Sequence, residues 1–308
     1  MNAAPDMRNI EAVYPLSPIQ QGLLFHSLYA PNSGVYIEQL VCTLQADIDV
    51  SAFSRAWDYM IRRHAPLRTA FAWKSQDQPL QAVHRAVELP FVQEDWRTIA
   101  PDEQEQRLDR WLADERTRGF DVAKAPLMRL ALVRVADHVW RFVWTHHHLL
   151  LDGWSLPLVL QEVFAAYEAY RNGSDPALPP VRPYRDYIAW LRKQDLAAAE
   201  TYWRAALAGF STPTPLVVDR LPAAPHTRPQ GVAQCSTTLS AETTRALTAL
   251  TQRVAVTLGT VLQGAWALLL SRYSGETDVA FGVTTSGRPA ELPGVERMVG
   301  LCINTLPL

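Results

Sequence analysis

VWRFVWTHHHLLLDGWS, residues 139–155, is the stretch on which the fold turns. Its first half is β-branched and aromatic, which predicts a buried strand over Val139–His148 with successive side chains on opposite faces. On that reading His146 and His148 share a face with Trp144, and His147 lies on the other. Asp152-Gly153 reads as a turn. From about Trp154 to Arg171, Leu156, Leu160, Val163, Phe164, Tyr167 and Tyr170 recur at helical spacing, and Gly173 ends the run. The stretch is therefore a strand, a tight turn and a helix start, with two imidazoles and a carboxylate at the strand's end.

Working outward, the spacing predicts helices over Ser17–Ala30, with Ser17 as cap and Pro18 in the first turn, over Ser51–His64, and over Pro101–Arg118 up to Gly119. Strands are expected at Tyr36–Leu44, Leu67–Trp73 and Pro126–Arg134. Strands alternating with amphipathic helices predict an α/β fold, an α+β sandwich. The segment 209–229, with prolines at 213, 215, 222, 225 and 229, reads as a connector. Helices at about Ser240–Val254 and Thr257–Tyr273 and a strand at Asp278–Thr285 follow it. A faint repeat joins the two halves: Ala56-Trp57, Arg63-His64 and Ala70-Phe71 recur as Ala265-Trp266, Arg272-Tyr273 and Ala280-Phe281, each copy a helix feeding a strand. The expected division is a lobe over 1–178 carrying the histidines, then a connector and second lobe over 179–308.

The residues alone leave several chemistries open. Paired histidines on an apolar strand serve as hydrogen-bonded core groups, as proton-transfer groups, or, through the H-x-H pair His146 and His148, as two ligands of a zinc site. Cys42, Cys235 and Cys302 lack ligand spacing, so no metal is expected. Arg68, in the apolar stretch Leu67–Phe71, needs a carboxylate partner if it is buried.

HHLLLDG followed by Trp154-Ser155 resembles the HHxxxDG signature of the condensation domains of nonribosomal peptide synthetases. Four further stretches match that family in order: YPLSPIQQGLLFHSL at 14–28, RRHAPLRTAF at 62–71, YRDYIAWL at 184–191 and VGLCINTLPL at 299–308. The resemblance implies a pseudodimer of two chloramphenicol-acetyltransferase-like lobes with the active site between them. Condensation domains usually continue well over a hundred residues past the NTLPL stretch, so the second lobe is expected to be truncated here. It implies amide formation between a donor aminoacyl or peptidyl thioester and the amine of an acceptor, each on the phosphopantetheine of a carrier protein, with no cofactor bound by the domain itself. The expected catalytic set is His147, His148, Asp152 and Gly153. In it His148 is the base or positions the amine, His147 is structural, Gly153 lets a substrate arm approach the backbone, and the amides near Trp154 and Ser155 hold the oxyanion. Arg68 is expected to pair with Asp152, making that carboxylate an organiser of the turn.

The wording HHLLLDGWS most resembles domains that accept a D-configured donor, which implies an upstream epimerisation domain beside the adenylation domains and carriers. Two rival functions remain: a free-standing acyltransferase using coenzyme A, and a non-catalytic docking or gating module. Tyr184–Leu191 reads as a packing helix with core aromatics, Gly287-Arg288-Pro289 as a turn, and Asn304 as a buried hydrogen-bonding residue in an apolar strand.

Composition sets outer bounds. The 308 residues are 48% hydrophobic and include ten tryptophans, enough for one large or two medium cores. The net charge is −2, and three lysines and 26 arginines are scattered among 31 acidic residues, so nothing predicts a nucleic-acid partner. The sequence has no apolar run of membrane-spanning length, and no charged-then-apolar start predicts a secretory leader. An odd number of cysteines without framework spacing fits a reducing cytoplasm.

Overall fold

A computed structural model describes residues 7–31, 33–73, 78–216 and 235–308. In chain order the elements are β1 (Ile10–Pro15), α1 (Pro18–Tyr29), β2 (Ile37–Gln45), α2 (Val50–Arg63), β3 (Thr69–Ala72), β4 (Leu80–His84), β5 (Phe91–Asp95), α3 (Pro101–Arg118), β6 (Met128–Ala136), β7 (Val139–His147), α4 (Ser155–Arg171), α5 (Tyr184–Leu191), α6 (Leu196–Ala206), α7 (Ala241–Val254), α8 (Leu258–Ser274), β8 (Gly282–Thr285) and β9 (Asn304–Pro307). The fold is mixed α/β, as the alternation of patterns predicts.

β7 is the spine of a four-stranded sheet ordered β2-β7-β6-β5, in which only the β5–β6 pair is parallel. Its alternation supplies two cores. Trp140, Phe142 and Trp144 join Phe53, Trp57 and Met60 of α2 and Val159, Val163 and Tyr167 of α4 on one face. Val143 joins Ala131, Val133, Trp96 and Leu108 of α3 on the other. Each large side chain so buried stabilises the fold by roughly 1.5–3 kcal/mol, and together they fix β7 between two helical layers. A second sheet, β1-β4-β3, is antiparallel throughout.

The expected helices form almost where the caps place them. Ser17 and Gln20 make a capping box at α1, Asp49 caps α2, and Gly119, at φ 56°, ends α3. Ser240 and Thr257 cap α7 and α8. The short strands β1, β4 and β5 carry little signal of their own and exist through their partners. Among the described residues no single helix is long and apolar enough to cross a membrane. The expected connector lies in large part outside the described residues, which stop at 216 and resume at 235.

The chain divides differently from the expected boundary at 178. One compact unit comprises 1–194 and 286–304, the other 195–285 and 305–308. The segment 286–304 returns to the first unit because α5 receives it. Tyr184 Oη donates to Leu301 O (2.7 Å) and Tyr187 Oη to Cys302 O (3.0 Å). A Cβ on Gly300 would lie 2.2 Å from the Tyr184 ring, and one on Gly287 1.8 Å from Cys302 O, so both crossings need glycine. The aromatics of Tyr184–Leu191 are core residues, as expected. Asn304 is exposed at the start of β9, correcting the expectation of a buried residue. The two halves of the repeat differ in burial: Trp57 is wholly buried, whereas Trp266 is 40% exposed.

Candidate active site

The strand β7 stops at His147, and the next six residues form a turn whose hydrogen bonds account for both histidines. His147 N–H donates to Leu127 O (3.0 Å) and His148 N–H to Tyr36 O (2.8 Å), which ties the turn to the strands on either side. Leu149, Leu150 and Leu151 are fully buried and anchor it from within.

His147 has both ring nitrogens in hydrogen bonds. Leu149 N–H donates to its Nδ1 (3.1 Å), so Nε2 carries the proton and donates to Ser27 Oγ (3.1 Å), whose hydroxyl donates to Leu23 O (2.7 Å). Burial first, and the neighbouring His148 second, push its pKa down to about 4. Beside it opens a cavity of about 220 Å³ lined by Ser27, Val35, Trp73 and Phe120 among others. Both ring nitrogens of His147 are already engaged, so neither is free to act there.

His148 is different. It is the first residue past the end of β7. It is half-buried, and Nδ1–H donates to Leu151 O (2.7 Å). A carbonyl only accepts, so the proton sits on Nδ1 and Nε2 is left as an acceptor. His146 instead lies against Trp144 with ring centroids 4.9 Å apart, and burial, then His148 and His147, lower its pKa to about 3. Among the described residues no three His, Cys, Asp or Glu side chains gather as a metal-binding group.

Asp152 is buried completely and receives several donors. Ser155 N–H donates to Oδ1 (2.9 Å), Cys302 N–H to Oδ2 (2.9 Å), and Arg288 Nη2 lies 3.0 and 3.1 Å from the two oxygens. The Ser155 hydroxyl lies 2.7 Å from Oδ1 and within reach of Gly300 O (2.9 Å) and Gly300 N (3.1 Å). Arg288 also donates to Val295 O (2.6 Å) and Met298 O (2.7 Å).

The partner of Asp152 is therefore Arg288, not Arg68. Arg68 is buried as expected, but it ends the short 3-10 turn ahead of β3 and pairs with Glu11 Oε2 on β1 (2.6 Å) and with His84 O on β4. Two buried arginines compete for one carboxylate in the sequence, and only the return of 286–304 decides between them. The available signal was Arg288 in a Gly-Arg-Pro turn just ahead of the apolar 298–303 stretch.

The amides expected to hold the oxyanion differ in their partners. Ser155 N–H is spent on Asp152, while the amides of Gly153 and Trp154 meet no protein acceptor among the described residues. Trp154 is 51% exposed, with Nε1–H donating to Glu296 O (2.9 Å) and Arg288 over its ring at 5.7 Å. A Cβ on Gly153 would meet nothing within 4 Å.

Comparison with known proteins shows the family. The family model of the condensation domain matches residues 10–308. One subunit of the linear gramicidin synthase of Brevibacillus parabrevis is 47% identical over 302 residues, covering 98% of this chain and 6% of that protein. Bacitracin synthase 3 of Bacillus licheniformis is 40% identical over 299 residues, covering 97% of this chain and 5% of that protein. The chain thus spans a small part of the length of these relatives. Among solved structures, the starter condensation domain of rhizomide synthetase, a variant in complex with C8-CoA, superposes with a TM-score of 0.77 at 24% identity over 96% of this chain and 66% of that one. The first condensation domain of the calcium-dependent antibiotic synthetase gives 0.75 at 19% over 97% and 70%. A full-length family match, close relatives across the whole chain and a shared fold together assign this chain to the condensation-domain family.

Proposed function

We propose that the chain catalyses peptide-bond formation between a donor aminoacyl or peptidyl thioester and the amine of an acceptor, both carried on phosphopantetheine arms of carrier proteins. The observation that carries this reading is His148, whose Nδ1–H is fixed on Leu151 O and whose Nε2 is left as an acceptor. A thioester is already activated, so the catalyst has to align the amine, keep it neutral and stabilise the oxyanion. His148 Nε2 accepts the amine's hydrogen bond and takes its proton as the C–N bond forms. Collapse of the tetrahedral intermediate breaks the C–S bond, and the proton held on His148 Nε2 passes to the departing sulfur, so that the donor arm leaves as a thiol and the imidazole is neutral again. The amides of Gly153 and Trp154, without a protein acceptor among the described residues, receive the oxyanion, and Gly153 leaves room for the arm. Asp152 and Arg288 keep the turn in shape and take no part in proton transfer.

The two units correspond, on this reading, to the lobes of a chloramphenicol-acetyltransferase-like pseudodimer. The partners are donor and acceptor carriers with their adenylation domains and an upstream epimerisation domain, the last from the D-donor wording of HHLLLDGWS. Cys42, Cys235 and Cys302 are free thiols, which supports a reducing cytoplasm. The test is a condensation assay with loaded carriers, run beside the same acyl groups on coenzyme A. Peptide formation confined to the carrier substrates is expected. Equal turnover of coenzyme A thioesters would support a free-standing acyltransferase, and no turnover of either a docking module.

A further inference from the structure

The carbonyl of Leu149, inside the turn that presents His148, is held by a side chain 129 residues away in sequence: Gln20 Nε2 donates to it at 3.1 Å. We infer that Gln20 and Gln81 are positioning residues for condensation, a buried carboxamide pair that fixes the Leu149 carbonyl and through it His148. This rests on the reading of His148 given above.

The orientation of both amides is set by partners of unambiguous chemistry. Ser17 N–H donates to Gln20 Oε1 (3.0 Å), so that atom is the oxygen, and the nitrogen faces Leu149 O. Gln81 Nε2 donates to Pro15 O (2.9 Å) and to Gln20 Oε1 (3.0 Å), so the second amide holds the first in place. Both side chains are buried, where an amide costs stability unless its groups are paired. An apolar side chain of that size would fill the same space. The capping of α1 uses only the Oε1 end of Gln20, whereas the Nε2 end serves the turn. Leu149 directly follows His148, whose amide is held by the Tyr36 carbonyl (2.8 Å), and in the chain it lies between His148 and Leu151, whose carbonyl holds Nδ1 (2.7 Å). A shift of Leu149 therefore displaces both the backbone that carries the ring and the carbonyl that fixes it.

Gln20→Met and Gln20→Glu, made in the intact protein and assayed with loaded carriers, test this. Misplacing a catalytic group by about 1 Å costs on the order of 10²-fold, so Gln20→Met should lower kcat by about 10-fold or more with KM for either carrier changed less than about twofold. In Gln20→Glu an ionised carboxylate has no proton for Leu149 O, but the protonated carboxyl does, and burial raises a carboxyl pKa. The activity of Gln20→Glu relative to the parent should therefore rise as pH falls, while the ratio for Gln20→Met stays flat. Adding Gln20→Met to His148→Ala should cost nothing further, because the glutamine acts through the histidine. Gln81→Met, which leaves the Leu149 bond in place, should lower kcat less, and it carries the test if Gln20→Met does not fold. An unchanged kcat in the folded variants, or an additional loss on top of His148→Ala, overturns the inference. Parent-like turnover by His148→Ala alone overturns instead the reading beneath it.

Discussion

Replacing Arg288 by Met separates the two arginines that the sequence offers to Asp152. Arg288 is 4% exposed and Asp152 not at all, so truncation leaves a carboxylate that water cannot reach. It also strips a donor from the carbonyls of Val295 and Met298. Breaking one side of a buried pair costs about 3–5 kcal/mol. Ser155 and the Cys302 amide still donate to Asp152, which holds the loss within that range. At roughly 2–4 °C per kcal/mol for a unit of this size, the melting temperature should fall by about 10 °C. Arg68→Met also removes a buried guanidinium, but its partner Glu11 is 41% exposed and can be rehydrated, so the loss should be about 1 kcal/mol. Thermal and urea denaturation of the two variants with the parent give the comparison, and Asp152→Asn should relieve part of the Arg288→Met defect by removing the stranded charge. The reasoning fails if Arg288→Met melts like the parent, or if Arg68→Met is the more damaging of the two.

Acid should weaken the fold in a defined window. His147 titrates near 4 in the folded chain against about 6.5 when unfolded, so the unfolded state binds the extra proton. Stability is full above about pH 6.5 and declines toward pH 4, by on the order of 3 kcal/mol from this residue. His146, at about 3, adds a loss in the same direction. Urea midpoints across pH 4–8 check this, and His146→Phe should flatten the slope. Glu162 extends the loss below its unfolded pKa: burial alone would raise it, but bonds from His64 and Arg63 outweigh burial and hold it at about 2. Gly153→Ala should leave the melting temperature unchanged, since the added methyl meets open space, yet lower condensation if a substrate arm passes there; equal activity would remove Gly153 from the site. Donor carriers loaded with matched D- and L-terminated groups should react with a D preference on the order of 10²-fold, and equal rates would discard the donor subtype alone.

Local signals carried much of this structure, and contacts remote in sequence carried the rest. The helix α3 was legible from Pro101 to Gly119 because its start, period and stop are all written locally. α1 was legible from its Ser17 cap, and β7 from its aromatic alternation. β4 and β5, five residues each, are strands because of the neighbours they pair with. At the site, the histidines and the turn lay in one continuous stretch. The charge partner of Asp152 lay 136 residues further on, and a buried arginine looks the same from either position. The end of β7 at His147 was likewise decided by pairing, since Ile37 of β2 is its last partner. The structural part of His147 could be read from its face, but its partner Ser27 needed the position of α1.

The central claim is that Nε2 of His148 accepts the acceptor amine's proton, and single-turnover condensation measures it most directly. His148→Ala, in the intact protein with both carriers loaded, should slow bond formation by about 10²- to 10⁴-fold with the melting temperature preserved. A folded His148→Ala protein that forms the peptide bond at the parent's rate would contradict the account.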